Sequence, residues 1–272
     1  MVNLNKPWRK ILYENQDYPD NYTDSSFLEG MEKNVHFQEV TYRKAFVGAS
    51  LVTQEFCLVI FFIFSFVYMY NGWYSAEAVF TATSLLTLCG YLIYISIEAP
   101  SLRHLYDIVF YLFLGWLLSP VLQTLTATIS TDTIYAMTVF MMTVHLIFFD
   151  YGVKVLIVSS SLSINATTFG SLCLASRLPT PFDTFVILTT AVESFVLCPI
   201  FFSKIGSKPV IPAIMVVLCI VGLYSISFLM TVMFIGAILF INVICPILFV
   251  SWQRYKENIY GPWDEAVIPV IN

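Results

Sequence analysis

No charged residue interrupts the stretch from Val210 to Val250, and this run limits the possible folds more than any other feature. As one helix rising ~1.5 Å per residue, it would extend roughly 60 Å, twice the ~30 Å hydrocarbon core of a bilayer. The run must therefore fold back on itself, and we expect the turn within GLYSIS (222–227). The sequence thus predicts two consecutive membrane spans here.

The composition supports a membrane protein. Hydrophobic residues make up 58% of the 272 residues and charged residues 11%, against roughly 25% charged residues in an ordinary soluble domain. A soluble domain exposes too much surface to hide this amount of apolar material. The net charge of −5 argues against nucleic-acid binding, which requires a concentrated basic face.

Six further apolar runs are long enough to cross a bilayer. The predicted fold is therefore all-α and polytopic, with about eight transmembrane helices. The predicted spans are 47–70, 78–97, 105–126, 133–149, 154–175, 183–202, 210–226 and 228–250. They divide the chain into an N-terminal arm (1–46), a transmembrane domain (47–250) and a C-terminal tail (251–272).

The positions of Lys and Arg test this topology independently, because basic residues accumulate in cytosolic loops. With eight spans, every Lys and Arg except Arg177 falls on the side of the two termini. Both termini are therefore predicted to be cytosolic. The arm has no continuous apolar segment, so we expect no cleavable signal peptide.

Both ends of the chain carry features typical of surfaces or partners. In the arm, Ser26 and Glu29 have the spacing of a capping box, and residues 27–44 are predicted to form an amphipathic helix on the cytosolic membrane surface. A partner's groove would fit the same apolar stripe. In the tail, three adjacent residues are candidates for docking a partner, with an interfacial tryptophan as the alternative. They are Trp263, Asp264 and Glu265.

Sequence motifs for cofactor or metal chemistry are missing. All six cysteines lie in apolar runs and none forms a CxxC pair, which argues against a metal site or a disulfide framework. The chain has no phosphate-binding glycine loop, no HExxH and no GxSxG. No cofactor, metal or catalytic residue is assigned from the sequence.

The span 133–149 is bordered by aspartates and contains a histidine. Asp132 is interpreted as a helix cap that also complements the helix dipole. His145 is interpreted first as a neutral imidazole bonded to another span, then as a headgroup contact, and last as a catalytic base. Asp150 and Lys154 border the cytosolic interface, so His145, Asp150 and Lys154 are candidates for contact with a lipid headgroup.

Three polar residues lie within predicted spans: Asn165, Glu193 and Asn242. A charge at Glu193 would cost on the order of 3 kcal/mol on insertion scales, so its side chain should face other helices. All three are predicted to be buried and to bond between helices. Other polar residues towards the cytosolic side could line the same headgroup pocket. They are Glu55, Arg103, His104 and Asp107.

Five long, irregular strings occur across nearly the whole chain. They are LYENQDYPDNYTDSSFLE (12–29), SPVLQTLTATISTDTIYAMTVFM (119–141), HLIFFDYG (145–152), CLASRLP (173–179) and KENIYGPWDEA (256–266). In this order they resemble the phosphatidylinositol glycan class C (PIG-C) family. Such strings are far more specific than the apolar pattern that membrane proteins share.

The resemblance implies a membrane subunit of the GPI N-acetylglucosaminyltransferase complex at the cytosolic face of the endoplasmic reticulum. That complex transfers GlcNAc from UDP-GlcNAc to phosphatidylinositol, the first step of GPI-anchor biosynthesis. In the family the nucleotide-sugar chemistry is assigned to PIG-A, and the other implied partners are subunits of the PIG-H, PIG-P, PIG-Q and PIG-Y types. The resemblance brings no catalytic residues to this chain.

We therefore expect a non-catalytic subunit that scaffolds the complex and presents phosphatidylinositol to a donor held by a partner. The first alternative is that the chain is the membrane-embedded enzyme, with His145 as base. A lipid transporter or scramblase is a second alternative, suggested by Glu193, and a purely structural assembly factor is a third.

Overall fold

The computed structural model describes residues 39–97, 102–152, 160–206 and 209–257, with Tyr18, Tyr22 and the pairs 32–33 and 259–260. Within these residues the chain forms eight helices. Their bounds are Tyr42–Tyr70 (α1), Ala76–Ile97 (α2), Leu102–Thr124 (α3), Thr131–Phe148 (α4), Ser160–Ala175 (α5), Pro181–Ile205 (α6), Val210–Ile226 (α7) and Phe228–Tyr255 (α8). The prediction of an all-α membrane protein is confirmed.

Each helix coincides with one predicted span. Five of them, α1, α2, α4, α6 and α8, are long and apolar enough to cross a membrane. Two others have shorter apolar stretches, Ile108–Thr124 in α3 and Val210–Ile226 in α7, and α5 is described only from Ser160 onwards. The number of spans therefore stays a prediction.

Polar residues determine where two of the helices begin. Ser130 caps α4, since its Oγ accepts a hydrogen bond from the backbone N–H three residues later at 3.4 Å. At α6, Thr180 and Asp183 form a capping box, and Pro181 follows where a missing N–H leaves nothing unpaired. The interpretation of Asp132 as the cap is wrong: it lies in the first turn of α4, where its charge complements the helix dipole.

Helix α1 occupies the centre of the bundle. It packs into one apolar core with α4, α5 and α6 through Val59, Phe62 and Phe66. It packs into a second core with α7 and α8 through Leu58 and Phe64. Because protein covers α1 on several sides, its sequence is apolar almost all round.

Two glycines allow neighbouring helices to approach closely. A β-carbon at Gly222 of α7 would lie 2.5 Å from a ring carbon of Phe64 on α1. One at Gly170 of α5 would lie 3.0 Å from Cε of Met142 on α4. Small residues at such contacts are typical of membrane helix interfaces, because lipid provides no hydrophobic drive and close packing must supply the attraction.

A π-helical turn interrupts both α6 and α8, at Glu193–Leu197 and Phe240–Ile244. Each turn is followed by a Cys-Pro pair that contains Pro199 or Pro246. Proline has no N–H and crowds the carbonyl group four residues earlier. The cysteine N–H before each proline instead donates to the carbonyl oxygen five residues back. The prolines thus account for the two turns.

Side chains tie together the α3–α4 and α5–α6 connections at one end of the bundle. Arg177 donates to the carbonyl oxygen of Thr126 at 2.6 Å. The hydroxyl of Thr126 donates to that of Ser176, also at 2.6 Å. The Gln123 amide donates to the carbonyl oxygen of Leu178 at 2.9 Å. These bonds join the two strings 119–141 and 173–179, so those strings have a structural role in holding the loops.

The two ends of the chain, residues 1–41 and 249–272, form one compact unit, and residues 42–248 form another. In the first unit, Glu32–Lys33 pairs antiparallel with Ile259–Tyr260. The Gln253 side chain bonds both backbone groups of Val40. Its Nε2 donates to the Val40 carbonyl oxygen at 3.1 Å, and its Oε1 accepts from the Val40 N–H at 3.0 Å.

The amphipathic helix predicted for residues 27–44 is wrong where the structure describes this segment. Residues 32–33 form a strand, residues 39–41 are not helical, and α1 begins at Tyr42. The partner of Val40 is 213 residues away in sequence. A local pattern cannot reveal such a pairing, which explains the error.

Candidate functional site

Ionisable side chains collect in the interior of the helical bundle. We define the buried polar cluster as Glu55 (α1), His145 (α4), Ser163 (α5) and Glu193 (α6), none more than 9% exposed. Three of its polar atoms are buried without a hydrogen-bond partner among the described residues: Glu55 Oε2, His145 Nε2 and Glu193 Oε2. Buried polar groups are nearly always paired, so three orphaned atoms mark a candidate binding site.

His145 lies deep in the bundle near the end of α4. Its Nδ1 is 2.7 Å from Ser163 Oγ on α5. The rings of Phe149 and Phe195 enclose the imidazole, with centroids 5.4 and 5.1 Å away. Since His145 is 1% exposed, its imidazole does not reach a headgroup at the bundle surface in this conformation. The imidazole instead faces the π turn of α6, to which Phe195 belongs.

Glu55 belongs to three consecutive buried polar residues of α1, with Thr53 and Gln54. Three consecutive residues cover about 200° of a helix surface, so protein surrounds α1 at this level. Cys198 of α6 lies within electrostatic range of both Glu55 and Glu193, and Tyr151 lies within range of Glu55. The expected position of Glu55 on a headgroup-facing rim is wrong, because its side chain is 2% exposed.

Glu193 opens the π turn of α6 and faces two outer helices. The hydroxyl groups of Thr83 and Thr87 on α2 approach its carboxyl group. Tyr111 of α3 lies within electrostatic range of Glu193, and its hydroxyl donates to the carbonyl oxygen of Leu188 at 3.3 Å. Glu193 therefore lies among α2, α3 and α6, as expected for a polar group that avoids lipid.

The two mid-span asparagines differ in their surroundings. Asn242 lies in the π turn of α8, and its Nδ2 donates to Thr53 Oγ1 of α1 at 2.6 Å and to the Ile238 carbonyl oxygen at 3.0 Å. Asn165 instead has an exposed side chain on α5. The predicted burial of Asn165 is therefore wrong for the single chain, because its side chain projects away from the face that packs on α4.

The connection after α4 is ordered by its own polar residues. Asp150 is exposed, and its Oδ1 accepts from the backbone N–H of Gly152 at 2.8 Å. Gly152 has φ +79°, a left-handed conformation that favours glycine. Tyr151 donates to the carbonyl oxygen of Leu146 at 2.7 Å. Burial, reinforced by the nearby Glu55 carboxyl group, raises the pKa of Tyr151, so its hydroxyl remains a donor.

The remaining candidates cannot be placed relative to this site. Lys154, Trp263, Asp264 and Glu265 lie outside the described residues. The side chains of Arg103, His104 and Asp107 also lie outside the described part of the structure.

Chemically, the buried polar cluster offers two carboxyl groups, an imidazole and a hydroxyl group for hydrogen bonding or proton transfer. Among the described residues no three His, Cys, Asp or Glu side chains come together as a metal site. A separate open groove of about 520 Å³ runs along α7 and is lined by apolar side chains such as Val210, Ile214 and Leu218. That groove suits acyl chains rather than a polar substrate.

Sequence reasoning missed two components of the site. Ser163 was not singled out, because a serine in a span carries no signal until its partner His145 is known. The π turn of α6 had a signal that could have found it: a Cys-Pro pair inside an apolar run, at Cys198 and Pro199. Glu193 was found because a charged residue in such a run is conspicuous.

Known proteins match this chain over nearly its full length. The family model described as GPI2, phosphatidylinositol N-acetylglucosaminyltransferase, matches residues 8–264. The human protein named as the C-type subunit of phosphatidylinositol N-acetylglucosaminyltransferase is 38% identical over 275 residues, which is 96% of this chain and 93% of that protein.

A more distant relative is a Schizosaccharomyces pombe protein named phosphatidylinositol N-acetylglucosaminyltransferase GPI2 subunit. It is 30% identical over 98% of this chain and 88% of its own length. No solved structure matches the chain. The extent and identity of these matches show that the chain belongs to the GPI2 family of phosphatidylinositol N-acetylglucosaminyltransferase proteins.

Proposed function

We propose that this chain is a membrane subunit of a GPI N-acetylglucosaminyltransferase complex, which transfers GlcNAc from UDP-GlcNAc to phosphatidylinositol. In this proposal it lies in the endoplasmic reticulum membrane with both termini in the cytosol. It scaffolds the complex and presents the lipid acceptor. The observation that carries the proposal is the match, over 96% of the chain, to a human relative that is named as a subunit of this transferase.

The proposal assigns the nucleotide-sugar chemistry to a partner of the PIG-A type. A UDP-sugar is large, charged and water-soluble, whereas the described ionisable groups of the bundle lie in its interior, as Glu55 and Glu193 do. The surface groove along α7 is apolar and suits lipid chains. The other partners of the proposal are subunits of the PIG-H, PIG-P, PIG-Q and PIG-Y types.

Lipid presentation is proposed at the end of α4. Asp150 is exposed there, and only one of its carboxylate oxygens is used by the backbone of Gly152. A carboxylate can accept hydrogen bonds from the hydroxyl groups of an inositol ring. Holding the ring at this end converts the encounter with a donor on a partner into a local reaction.

Co-purification tests the subunit role. The tagged chain is purified from membranes in mild detergent, and the accompanying proteins are identified. We expect a glycosyltransferase of the PIG-A type and GlcNAc transfer to phosphatidylinositol in the eluate. A chain that purifies with no glycosyltransferase and no transfer activity contradicts the proposal.

Substitutions on α4 test lipid presentation within the purified complex. We expect Asp150→Ala to raise the KM for phosphatidylinositol several-fold, with an unchanged KM for UDP-GlcNAc and unchanged assembly. Asp132→Ala is the matched control, because Asp132 is exposed at the opposite end of the same helix. His145→Ala is measured alongside. If both Asp150→Ala and His145→Ala leave assembly and lipid use unchanged, presentation by these residues is wrong.

One observation favours a second candidate function, that of a membrane-embedded enzyme. Glu55, His145 and Glu193 each leave a buried polar atom unpaired among the described residues. Orphaned polar groups of this kind occur at catalytic sites, where substrate completes them. GlcNAc transfer by the purified single chain, abolished by His145→Ala, would establish this alternative.

A further inference from the structure

Asn165 differs from the other polar residues in the described spans. Its side chain is exposed on α5. It makes no hydrogen bond to any other described residue, whereas the neighbouring exposed Thr168 donates its hydroxyl to the carbonyl oxygen of Ile164 at 2.8 Å. An amide carries two N–H donors and one carbonyl acceptor. In the isolated chain these groups remain without partners among the described residues.

The depth of Asn165 follows from the packing of α4 against α5. His145 contacts Ser163, and Thr138 Oγ1 lies 3.5 Å from the carbonyl oxygen of Gly170. Asn165 therefore lies between these two levels. Helix α4 is long and apolar enough to cross a membrane, so this level is inside the hydrocarbon region, roughly 7 Å from the nearer end of α4.

The direction of Asn165 follows from the helix geometry. It comes two residues after Ser163, which places the two side chains about 200° apart on α5. Ser163 is 1% exposed and faces α4. Asn165 therefore points away from the bundle. No rotation of its short side chain brings the amide to an interior partner of its own chain.

A lipid headgroup does not satisfy Asn165 at this depth. Lys and Arg can extend from within the hydrocarbon to the interface because their side chains are long, but the asparagine side chain is short. Unpaired amide groups are unfavourable in hydrocarbon. Asparagine side chains between membrane helices are instead satisfied by hydrogen bonds from an adjacent helix.

We propose that the outer face of α5 around Asn165 docks a transmembrane helix of a different subunit of the transferase complex. That helix carries a hydroxyl or amide side chain that pairs with Asn165. This inference rests on the proposed function, which makes the chain part of a complex. It goes further by assigning the contact to one residue on one helix and by stating the chemistry of the partner.

Photo-crosslinking within the assembled complex tests the contact. A photoreactive phenylalanine analogue replaces Asn165, and Val221 of α7, which is 64% exposed, serves as the control position. Irradiation at 165 is expected to join the chain to another membrane subunit, whereas position 221 gives no such product. Crosslinks from 165 only to lipid, or only to a second copy of this chain, would overturn the proposal.

Substitutions give an independent readout. We expect Asn165→Leu to reduce the amount of that subunit retained during detergent washing roughly three- to tenfold. Asn165→Gln is expected to retain part of it. Thr168→Val is the matched control, because its hydroxyl is satisfied within its own helix. Position 165 points away from the bundle, so the thermal stability of the isolated Asn165→Leu chain should not fall.

The outcomes separate this inference from the proposed function. If the wild-type chain retains no other subunit, the proposed function fails. If the wild-type chain retains its partners and Asn165→Leu retains them equally well, the proposed function stands and the docking site is wrong.

Discussion

At the residue scale, His145 and Ser163 show how a membrane helix bundle keeps a polar side chain. The Ser163 hydroxyl is the partner of His145 Nδ1 at 2.7 Å, while Nε2 has none among the described residues. The rings of Phe149 and Phe195 occupy the space around the imidazole. The position of His145 therefore depends on a single hydrogen bond and on aromatic packing.

Removal of that bond gives the first prediction. Ser163→Ala leaves both ring nitrogens of His145 unpaired, which should cost about 1–3 kcal/mol of stability. The melting temperature of the detergent-purified chain should fall. Ser161→Ala, on an exposed position of the same helix, is the control. Equal melting temperatures for the two variants would contradict the assigned role of Ser163.

At the element scale, α1 is held by close contacts with α7 and by a polar contact with α8. Gly222 of α7 faces the ring of Phe64. Asn242, in the π turn of α8, donates to Thr53. These two contacts lie on the side of α1 that faces away from the buried polar cluster, so they can be altered separately from it.

The glycine contact gives the second prediction. Gly222→Ala places a methyl group 2.5 Å from the Phe64 ring, so the helices must shift, at a cost of about 1–3 kcal/mol. Gly236→Ala on α8 meets no atom within 4 Å and should be neutral or stabilising by up to ~1 kcal/mol, since alanine favours helix. Melting temperatures of the two variants are compared. An equal effect in both would contradict the close approach of α1 and α7.

The Asn242–Thr53 bond gives the third prediction, tested by a double-mutant cycle. Asn242→Leu and Thr53→Val each remove one partner, and the double variant removes both. Stabilities measured by unfolding should show a coupling of roughly 0.6 kcal/mol, and no more than about 1.7 kcal/mol. Strictly additive effects would show that the two side chains do not interact.

The positions of the helices could be predicted from the sequence, but their contacts could not. Each predicted span coincides with a helix because apolar length is a local property. The strand pairing of Glu32–Lys33 with Ile259–Tyr260 and the partnership of His145 with Ser163 depend on packing between distant segments. Asp132 was mistaken for a cap because Ser130, two residues earlier, has the same capacity.

The candidate site was predictable in part, and the reason is again locality. Glu193 and Asn242 stand out because each interrupts an apolar run. Asn165 stands out equally, but its exposed position depends on which face of α5 packs against α4. Sequence periodicity is weak in a helix that is small and polar on both faces, so the direction of Asn165 required the structure.

At the scale of the whole molecule, the distribution of basic residues leads to the fourth prediction. Epitope tags at the two termini should both be cleaved by protease added to sealed microsomes, because Lys and Arg mark the cytosolic side. A lumenal protein should remain protected in the same sample. Protection of one terminus but not the other would contradict the even number of spans.

The central claim concerns what the chain contributes to GlcNAc transfer. Three samples are compared in vesicles that contain phosphatidylinositol: the purified chain, the other subunits purified from cells that lack it, and the two combined. Each receives labelled UDP-GlcNAc, and labelled lipid is measured. We predict transfer only in the combined sample. Transfer by the chain alone would show that it is itself the enzyme, and full transfer without it would show that it is not a required subunit.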